Sequence, residues 1–419
     1  MKLINKIKDL ILKGKSRIPG VAVYVMSACF LAIASTSCSM VNEDLPDCPP
    51  NYTLVDFEYK YNMSAVIDGD GVEKDWFNEH VGSVYLYIFD ENGVYYDRRE
   101  KHKEFFSKSE DFSFPFSINE LIPGETYSFV AVAQGNTIGQ LPDDNYQWFR
   151  LVNDMVPGKS TIRDYILRLD RETPEGFSQI GVVNYKDQYG QNQQMIDTLW
   201  TTKPDEVQTE TIKKPSYSYK HESMNAFNHI TIPMMRITNA ITVNLLSSGF
   251  NKETDVNKYH IVIHYPNGNG TVDFCGDISQ SSQELFYQSL IKNMAPYTSK
   301  STSRDSSGDI TPSDPAEEEA SQYALKALFG VSRLMLDDDS SLQIRDATKE
   351  GYPVITEVPN FSNILAQLGS ETGYEPQEFL DREYDFQVDL GMDSNLNLQY
   401  MDISCHILGW AKRIHFYDM

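Results

Sequence analysis

The chain has 419 residues, a formal net charge of −24 at pH 7 and five cysteines. A protein this acidic is repelled by nucleic acid and by anionic membrane surfaces, so the sequence predicts no nucleic-acid partner. Tyrosine and phenylalanine are abundant, with 25 and 21 copies. Because large aromatic residues favour half-buried strands, this composition indicates a β-rich fold.

The first 37 residues have the three parts of a secretory signal peptide. Six basic residues stand against one acidic residue, the mainly apolar residues 21–34 follow, and small residues precede Cys38. The apolar run is shorter than the roughly 20 residues that a membrane-spanning helix needs. Removal of residues 1–37, which carry +5, changes the net charge from −24 to −29.

A cysteine directly after small residues indicates lipoprotein processing, in which acyl groups such as palmitate are attached. We therefore predict Cys38 as the lipid attachment site and residues 38–50 as a lipidated tether. Ser35 departs from the leucine that usually stands three residues before the lipidated cysteine. Cys29 is an alternative, but cleavage there would leave the apolar residues 30–34 at the mature N-terminus. The early acidic residues of the tether are either a surface-export signal or a solvated linker.

The predicted elements of the first half are strands, because apolar residues alternate with polar ones. Two such runs flank Asn92-Gly93, which predicts a β-hairpin. Pro115 lies in the next run, and since proline lacks an amide donor we expect that strand at a sheet edge. With these three runs included, the strands predicted in the first half are at residues 55–61, 84–89, 94–96, 112–118, 127–132, 165–169, 198–200 and 207–212.

The second half repeats this alternation after residue 227. A turn is predicted at residues 266–270, with the chain returning through Val272. The spacing of apolar residues predicts a helix over residues 281–297, and the polar residues 299–320 are expected to be a disordered insertion. Further strands are predicted at residues 230–234, 241–245, 259–265, 323–336, 384–390 and 403–414.

Many short strands separated by turns predict an all-β fold with two tandem β-sandwiches. We place the N-terminal β-sandwich domain at residues 51–225 and the C-terminal one at residues 226–419. Cys48, Cys275 and Cys405 are an odd number, so at least one thiol is free or paired between chains. Which of them pair stays open.

Several segments together resemble the FimB-type fimbrial anchor lipoproteins. These begin with a lipidated cysteine, an acidic element containing Cys-Pro, and a first strand. Similar elements occur here in the same order, at residues 38–49, 84–93, 121–130, 230–243 and 403–410.

The resemblance implies two transthyretin-like β-sandwich domains and a surface-exposed location at the base of a fimbrium on the outer membrane. It also implies that fimbrial shaft or accessory subunits are the partners and that fimbrial attachment and length depend on the protein. Subunits of such fimbriae join by strand exchange, in which main-chain hydrogen bonds supply affinity. An alternative function is a surface glycan-binding lipoprotein of a polysaccharide-uptake system, which would expose a platform of two or three aromatic side chains.

No catalytic, cofactor-binding or metal-binding motif is recognisable, so the sequence predicts neither an enzyme nor a cofactor. His260 and His264 lie on one face of a predicted strand, but two ligands do not make a metal site. Residues 68–75 resemble a calcium loop without its bidentate glutamate. The acidic residues 337–339 are interpreted as a solvated turn. Trp410 is expected in the core, and Trp76 either packs over the first sandwich or contacts a glycan.

Overall fold

A computed structural model describes most of the chain after residue 52. The described residues are 53–58, 77, 81–103, 116–135, 149–170, 181–183, 196, 198–204, 206–212, 228–278, 283–297, 322–407 and 410–417. Cys38, Cys48, residues 68–75, Trp76 and residues 299–320 lie outside them. Within the described residues, no helix has the length and apolar character that a membrane crossing requires.

The strands of the first half mostly form one sheet, here called the N-terminal sheet. Its order is β3-β2-β5-β9-β11-β1-β4, with β10 paired to β5. The bounds are β1 Thr53–Glu58, β2 Val81–Asp90, β3 Tyr95–His102, β4 Phe116–Ile118, β5 Thr126–Gly135, β6 Phe149–Leu151, β7 Leu167–Leu169, β8 Gly181–Val183, β9 Leu199–Thr202, β10 Gln208–Thr211 and β11 Asn228–Arg236.

The hairpin predicted around Asn92-Gly93 is present between β2 and β3. Gly93 has a φ of 72°, and the Asp90 side chain accepts hydrogen bonds from the backbone of Asn92 and Val94. Both features are typical of a tight turn, because glycine adopts positive φ without strain. Pro115 lies outside the described residues, and the described part of its run, β4, is at the edge of the sheet.

The N-terminal sheet curls until its first and last strands meet. Arg99 on β3 forms a 3.0 Å ion pair with Glu120, which follows β4, and the Lys101 ammonium lies 5.3 Å from the ring centre of Phe116 on β4. The curl encloses its own core, in which Phe77 packs edge-on against Trp200. One face of the sheet thus builds a complete hydrophobic core.

The second half forms two sheets that face each other. A six-stranded sheet has the order β16-β17-β12-β20-β21-β22, and a five-stranded sheet has the order β19-β18-β13-β15-β8. The bounds are β12 Thr238–Ser247, β13 Tyr259–Tyr265, β14 Thr271–Val272, β15 Leu285–Gln288, β16 Ile291–Tyr297, β17 Gln322–Ser332, β18 Ser341–Asp346, β19 Val354–Pro359, β20 Asp385–Met392, β21 Leu398–Ile407 and β22 Trp410–Tyr417.

Apolar residues of both sheets form one buried cluster, as a sandwich requires. Ile241, Val243 and Leu245 alternate into it from β12, and Ile261 and Ile263 enter from β13. The predicted all-β class is therefore confirmed. The division of the chain at residue 225 stays a prediction. Sheet membership crosses that position, because β11 pairs with β1 and β9 in the N-terminal sheet.

The helix predicted over residues 281–297 is wrong, because this segment forms β15 and β16. Leu285 and Tyr287 alternate into the core, and β15 pairs with β13. The chain then crosses to the other sheet, where β16 pairs with β17 and contains Pro296. The apparent helical spacing arises because two strands with different inward faces follow each other after a short break.

Two short helices, α1 Phe361–Ala366 and α2 Pro376–Arg382, occur where no helix was predicted. The sequence nevertheless contains features that are typical of both helices. Phe361, Ile364, Leu365 and Leu368 have the spacing of one helical face and are buried. Pro376 stands at the start of α2, where its fixed φ and missing donor are favourable.

The predicted turn at residues 266–270 exists, but the chain does not return beside β13. Gly268 has a φ of 66°, and β14 pairs with β7 in a three-stranded sheet of order β14-β7-β6. This sheet therefore joins residues of the two halves of the chain. Likewise β8, from the first half, pairs with β15.

The side chain of Arg333 connects three segments at this junction. It follows β17, is 6% exposed, and donates two hydrogen bonds of 2.7 and 2.8 Å to the 8%-exposed carboxylate of Asp381 in α2. It also donates to Asp277 and to the carbonyl of Gly276. Although burial opposes the charge, the hydrogen bonds that Arg333 donates to the carboxylates of Asp381 and Asp277 raise its pKa above the usual value.

We expect Arg333→Met to lower the free energy of unfolding by about 3–5 kcal/mol. The substitution leaves the Asp381 carboxylate buried without its cation, which is the costly way to break a buried pair. The measurement is urea or thermal unfolding followed by circular dichroism.

Lys349→Met is the matched control, because the Lys349–Asp346 pair spans 2.9 Å but the lysine side chain is 69% exposed. Exposed pairs contribute about 0–1 kcal/mol. Equal unfolding midpoints for the two variants would contradict a central role for Arg333.

Candidate functional site

The predicted lipid attachment site lies just ahead of the first described strand. Fourteen residues separate Cys38 from Thr53, where β1 begins. A chain of this length spans at most about 50 Å when extended. Within the N-terminal sheet, β1 is parallel to β11 over six residue pairs and antiparallel to β4. The strand nearest the predicted anchor is therefore held on both sides.

An interaction by strand addition needs a sheet edge with free backbone groups, so the edges of the described sheets are the candidate sites. Most are unsuitable. Edge strands β4, β6, β8 and β14 have three residues or fewer. Strand β16 contains Pro296, and β19 ends in Pro359. Proline, shortness and charge are common protections against strand addition.

Two longer edges remain, β3 and β22, each of eight residues without proline. Strand β3 ends in six consecutive charged or histidine residues, 97–102, and one of them forms the ion pair to Glu120 that closes the N-terminal sheet. Strand β22 has the sequence WAKRIHFY. It pairs with β21 from Ile407↔Trp410 to Tyr400↔Tyr417, and it ends the six-stranded sheet.

The two faces of β22 are fixed in different ways. Ile414 and Phe416 pack against the large hydrophobic cluster. Arg413 and His415, on the opposite face, both bind the carboxylate of Asp402 on β21. The charge of Arg413 is therefore neutralised within the sheet and does not protect its edge.

A pair of buried carboxylates underlies this arrangement. Asp389 on β20 and Asp402 on β21 are directly opposite each other and are 3% and 5% exposed. Asp389 accepts hydrogen bonds of 2.7 Å from Asn244 and 2.8 Å from Tyr297, and it lies 3.4 Å from Arg413. Burial, the largest cause, together with Asp389 raises the pKa of Tyr297, so its hydroxyl remains a donor.

This network ties β12, β16, β20 and β21 to the edge strand and holds β22 in one position. Sequence reasoning missed it. The signal was an aspartate in the middle of each of two strongly apolar strands, at Asp389 and Asp402. A single sequence does not reveal that the two strands pair in the register that brings these residues together.

The histidines singled out in the sequence do not form a metal site. His264 donates to or accepts from Glu284 at 2.8 Å and stacks on Phe286 with ring centres 4.2 Å apart. His260 lies edge-on to Tyr352. Burial, followed by the charges of Lys292 and Arg345, lowers the pKa of His260. Among the described residues, no group of three or more histidine, cysteine or acidic side chains could hold a metal ion.

The acidic residues 337–339 form a turn that is stabilised by hydrogen bonds to neighbouring protein groups. Asp338 accepts hydrogen bonds from the backbone of Ser340 and from the Ser362 hydroxyl. Asp337 and Asp339 adopt positive φ. This agrees with a turn between strands.

Cys275 and Cys405 are both buried. Cys48 lies outside the described residues. Trp410 belongs to β22, but its side chain is outside the description, so its expected core position stays a prediction. Of the most exposed tyrosines in the described chain, Tyr96 lies on β3 and Tyr352 in the turn between β18 and β19.

The comparisons with known proteins agree with this architecture. A solved structure of a candidate polysaccharide-binding protein from Bacteroides thetaiotaomicron is 20% identical, with a TM-score of 0.57, over 87% of this chain and 98% of that one. A candidate adhesin from the same organism is 21% identical, with a TM-score of 0.56, over 88% and 100%. The fimbrial anchor protein Mfa2 from Porphyromonas gingivalis is 14% identical, with a TM-score of 0.50, over 87% and 99%.

At these identities the structural matches show a shared fold. No curated protein sequence matches the chain. The sequence profile of the fimbrillin-A associated anchor proteins Mfa1 and Mfa2 matches residues 45–416, which is most of the chain. The predicted resemblance is therefore confirmed, and the chain belongs to the family of fimbrillin-A associated anchor proteins.

Proposed function

We propose that this protein is an outer-membrane lipoprotein, attached through acyl groups on Cys38, that holds a fimbrium at its base as an anchor or minor subunit. The observation that carries the proposal is the extent of the family match. It begins at residue 45, shortly after Cys38, and ends at residue 416, within β22. The role is structural and needs neither a catalytic residue nor a cofactor.

The described N-terminal strand suits an anchor that bears tension. A pull on Cys38 acts along β1, whose six residue pairs with β11 would be loaded together in shear. Val55, in the middle of β1, is fully buried in the core of the N-terminal sheet. The membrane attachment itself comes from the acyl chains, which contribute about 0.8 kcal/mol for each buried methylene.

We also propose that β22 receives a strand from a shaft or accessory subunit by β-strand complementation. Three observations support this choice of edge. It is long and free of proline, Ile414 and Phe416 pack against the core on one face, and Arg413 and His415 bind Asp402 on the other. Because the edge strand is already rigid, little conformational entropy is lost when a partner strand adds to it.

We expect Cys38→Ala to release fimbriae from the cells into the medium, with altered fimbrial length, because the protein loses its acyl chains. The measurement is electron microscopy of the cells together with immunoblotting of fimbriae in the medium. Metabolic labelling with a palmitate analogue reports lipidation of the same variant.

Cys29→Ala is the matched control, since it changes the other cysteine that could be processed. It should leave labelling and attachment unchanged. Attached fimbriae of normal length in Cys38→Ala cells, with impaired growth on a polysaccharide, would contradict the anchor role and favour the glycan-uptake alternative.

Strand addition at β22 predicts a local change in amide exchange. When the protein is mixed with the shaft subunits of its own organism, amides of β22 should exchange more slowly, by about tenfold or more, because they gain hydrogen-bond partners. Hydrogen–deuterium exchange with mass spectrometry measures this. The other edge of the same sheet, β16, contains Pro296 and should not change. Protection of β16 with none at β22 would show that the proposed edge is wrong.

A further inference from the structure

A cleft of about 500 Å³ opens on the face of the N-terminal sheet that points away from its curled core. Residues of β2, β3 and β5 form one side, and residues of β6 and β7 form the other. This volume is within the range of small-ligand sites, about 300–1,000 Å³. The cleft has no part in the anchor role proposed above.

The floor of the cleft is aromatic and contains incompletely bonded polar groups. Tyr87 and Tyr165 are 5% and 1% exposed, with ring centres 4.7 Å apart. The Tyr165 hydroxyl is buried and has no hydrogen-bond partner among the described residues. Gln134 is 9% exposed and donates to the Phe149 carbonyl at the long distance of 3.5 Å. Buried polar groups normally have partners, so such exceptions favour a site that a polar ligand completes.

The rim supplies a donor and an acceptor beside an aromatic ring. Arg98 donates to Glu100 at 2.8 Å, and both side chains are more than two-fifths exposed. The Arg98 guanidinium lies 5.6 Å from the ring centre of Tyr85, and His102 lies edge-on to the same ring. A guanidinium and a carboxylate held side by side match two adjacent hydroxyl groups, one of which accepts while the other donates.

We propose that this cleft binds a neutral saccharide. The partly exposed ring of Tyr85 would pack against the C–H face of a pyranose, and Arg98 with Glu100 would bind neighbouring hydroxyls. Glu100 also disfavours an anionic sugar, as does the net charge of −24. Arg150, which also lines the cleft, lies 4.0 Å from Asp170, so both arginines of the lining have a carboxylate beside them.

A second cavity, of about 540 Å³, does not carry a comparable argument. It lies between the loop after β12 and the loop after β20, and polar loop residues line most of it. Its side chains bond within their own loops, as Asp255 does to the backbone of Asn257. Its lining includes the aromatic pair Phe250 and Tyr259, with ring centres 5.7 Å apart, but none of its described lining residues has a buried polar side-chain atom without a hydrogen-bond partner.

The test uses the full-length protein in detergent without fimbrial subunits, so its result is independent of the anchor proposal. Maltose, cellobiose, lactose and mannobiose are titrated by saturation-transfer NMR and calorimetry, with glucuronic acid as the anionic comparison. We expect at least one neutral disaccharide to bind more tightly than glucuronic acid.

Substitutions at the cleft then locate the site. Tyr85→Ala and Glu100→Gln should each weaken binding about tenfold or more, which is about 1.4 kcal/mol. Tyr85→Phe, which keeps the ring, and Glu350→Gln, an equal change of charge in the turn between β18 and β19, should bind like the unchanged protein. Absence of binding by all four disaccharides, tighter binding of glucuronic acid, or full binding by Tyr85→Ala would overturn the proposal.

Discussion

The arrangement of the described chain depends on one buried cation, the guanidinium of Arg333. An ion pair in the interior is tolerated only when its hydrogen bonds are complete, so its partners must occupy nearly fixed positions. Asp381 fixes α2, and Asp277 with the Gly276 carbonyl fixes the loop after β14. That loop touches the N-terminal sheet, because a Cβ atom at Gly276 would lie 2.4 Å from the Thr201 hydroxyl. One side chain thereby links the end of β17, a helix and the loop packed on β9.

A continuous path leads from the predicted tether to the proposed partner edge. Strand β1 is paired with β11, and β11 passes into β12 with only Ile237 between them. Strand β12 is paired with β20 over eight residues, and β21 and β22 follow by antiparallel pairing. Force applied at Cys38 would thus cross the molecule through hydrogen-bonded strands and the covalent chain. Such a path suits a subunit placed between a membrane and a fibre.

Local patterns in the sequence predicted most strands and failed where pairing is not local. The alternation around Asn92-Gly93 predicted β2, β3 and their turn, since all the necessary residues are adjacent. The pairings β1 with β11 and β12 with β20 are parallel and join residues more than 140 positions apart. Alternation identifies a strand but carries no information on its neighbour. For the same reason the candidate site could not be predicted, because only the pairing of β20 with β21 brings Asp389 and Asp402 together.

The N-terminal sheet uses one face for the core that holds β1 and the other face for the proposed saccharide cleft. The residues of β2 that point inward, Val84, Leu86 and Ile88, fill the curled core and hold β1 in place. Tyr85 and Tyr87, which alternate with them, point to the cleft. Because successive side chains of a strand point to opposite faces, the outer face can change its ligand contacts without altering the core. Strands β6 and β7 cover part of that outer face and make it a cleft, and β7 is paired in turn with β14 from the second half of the chain.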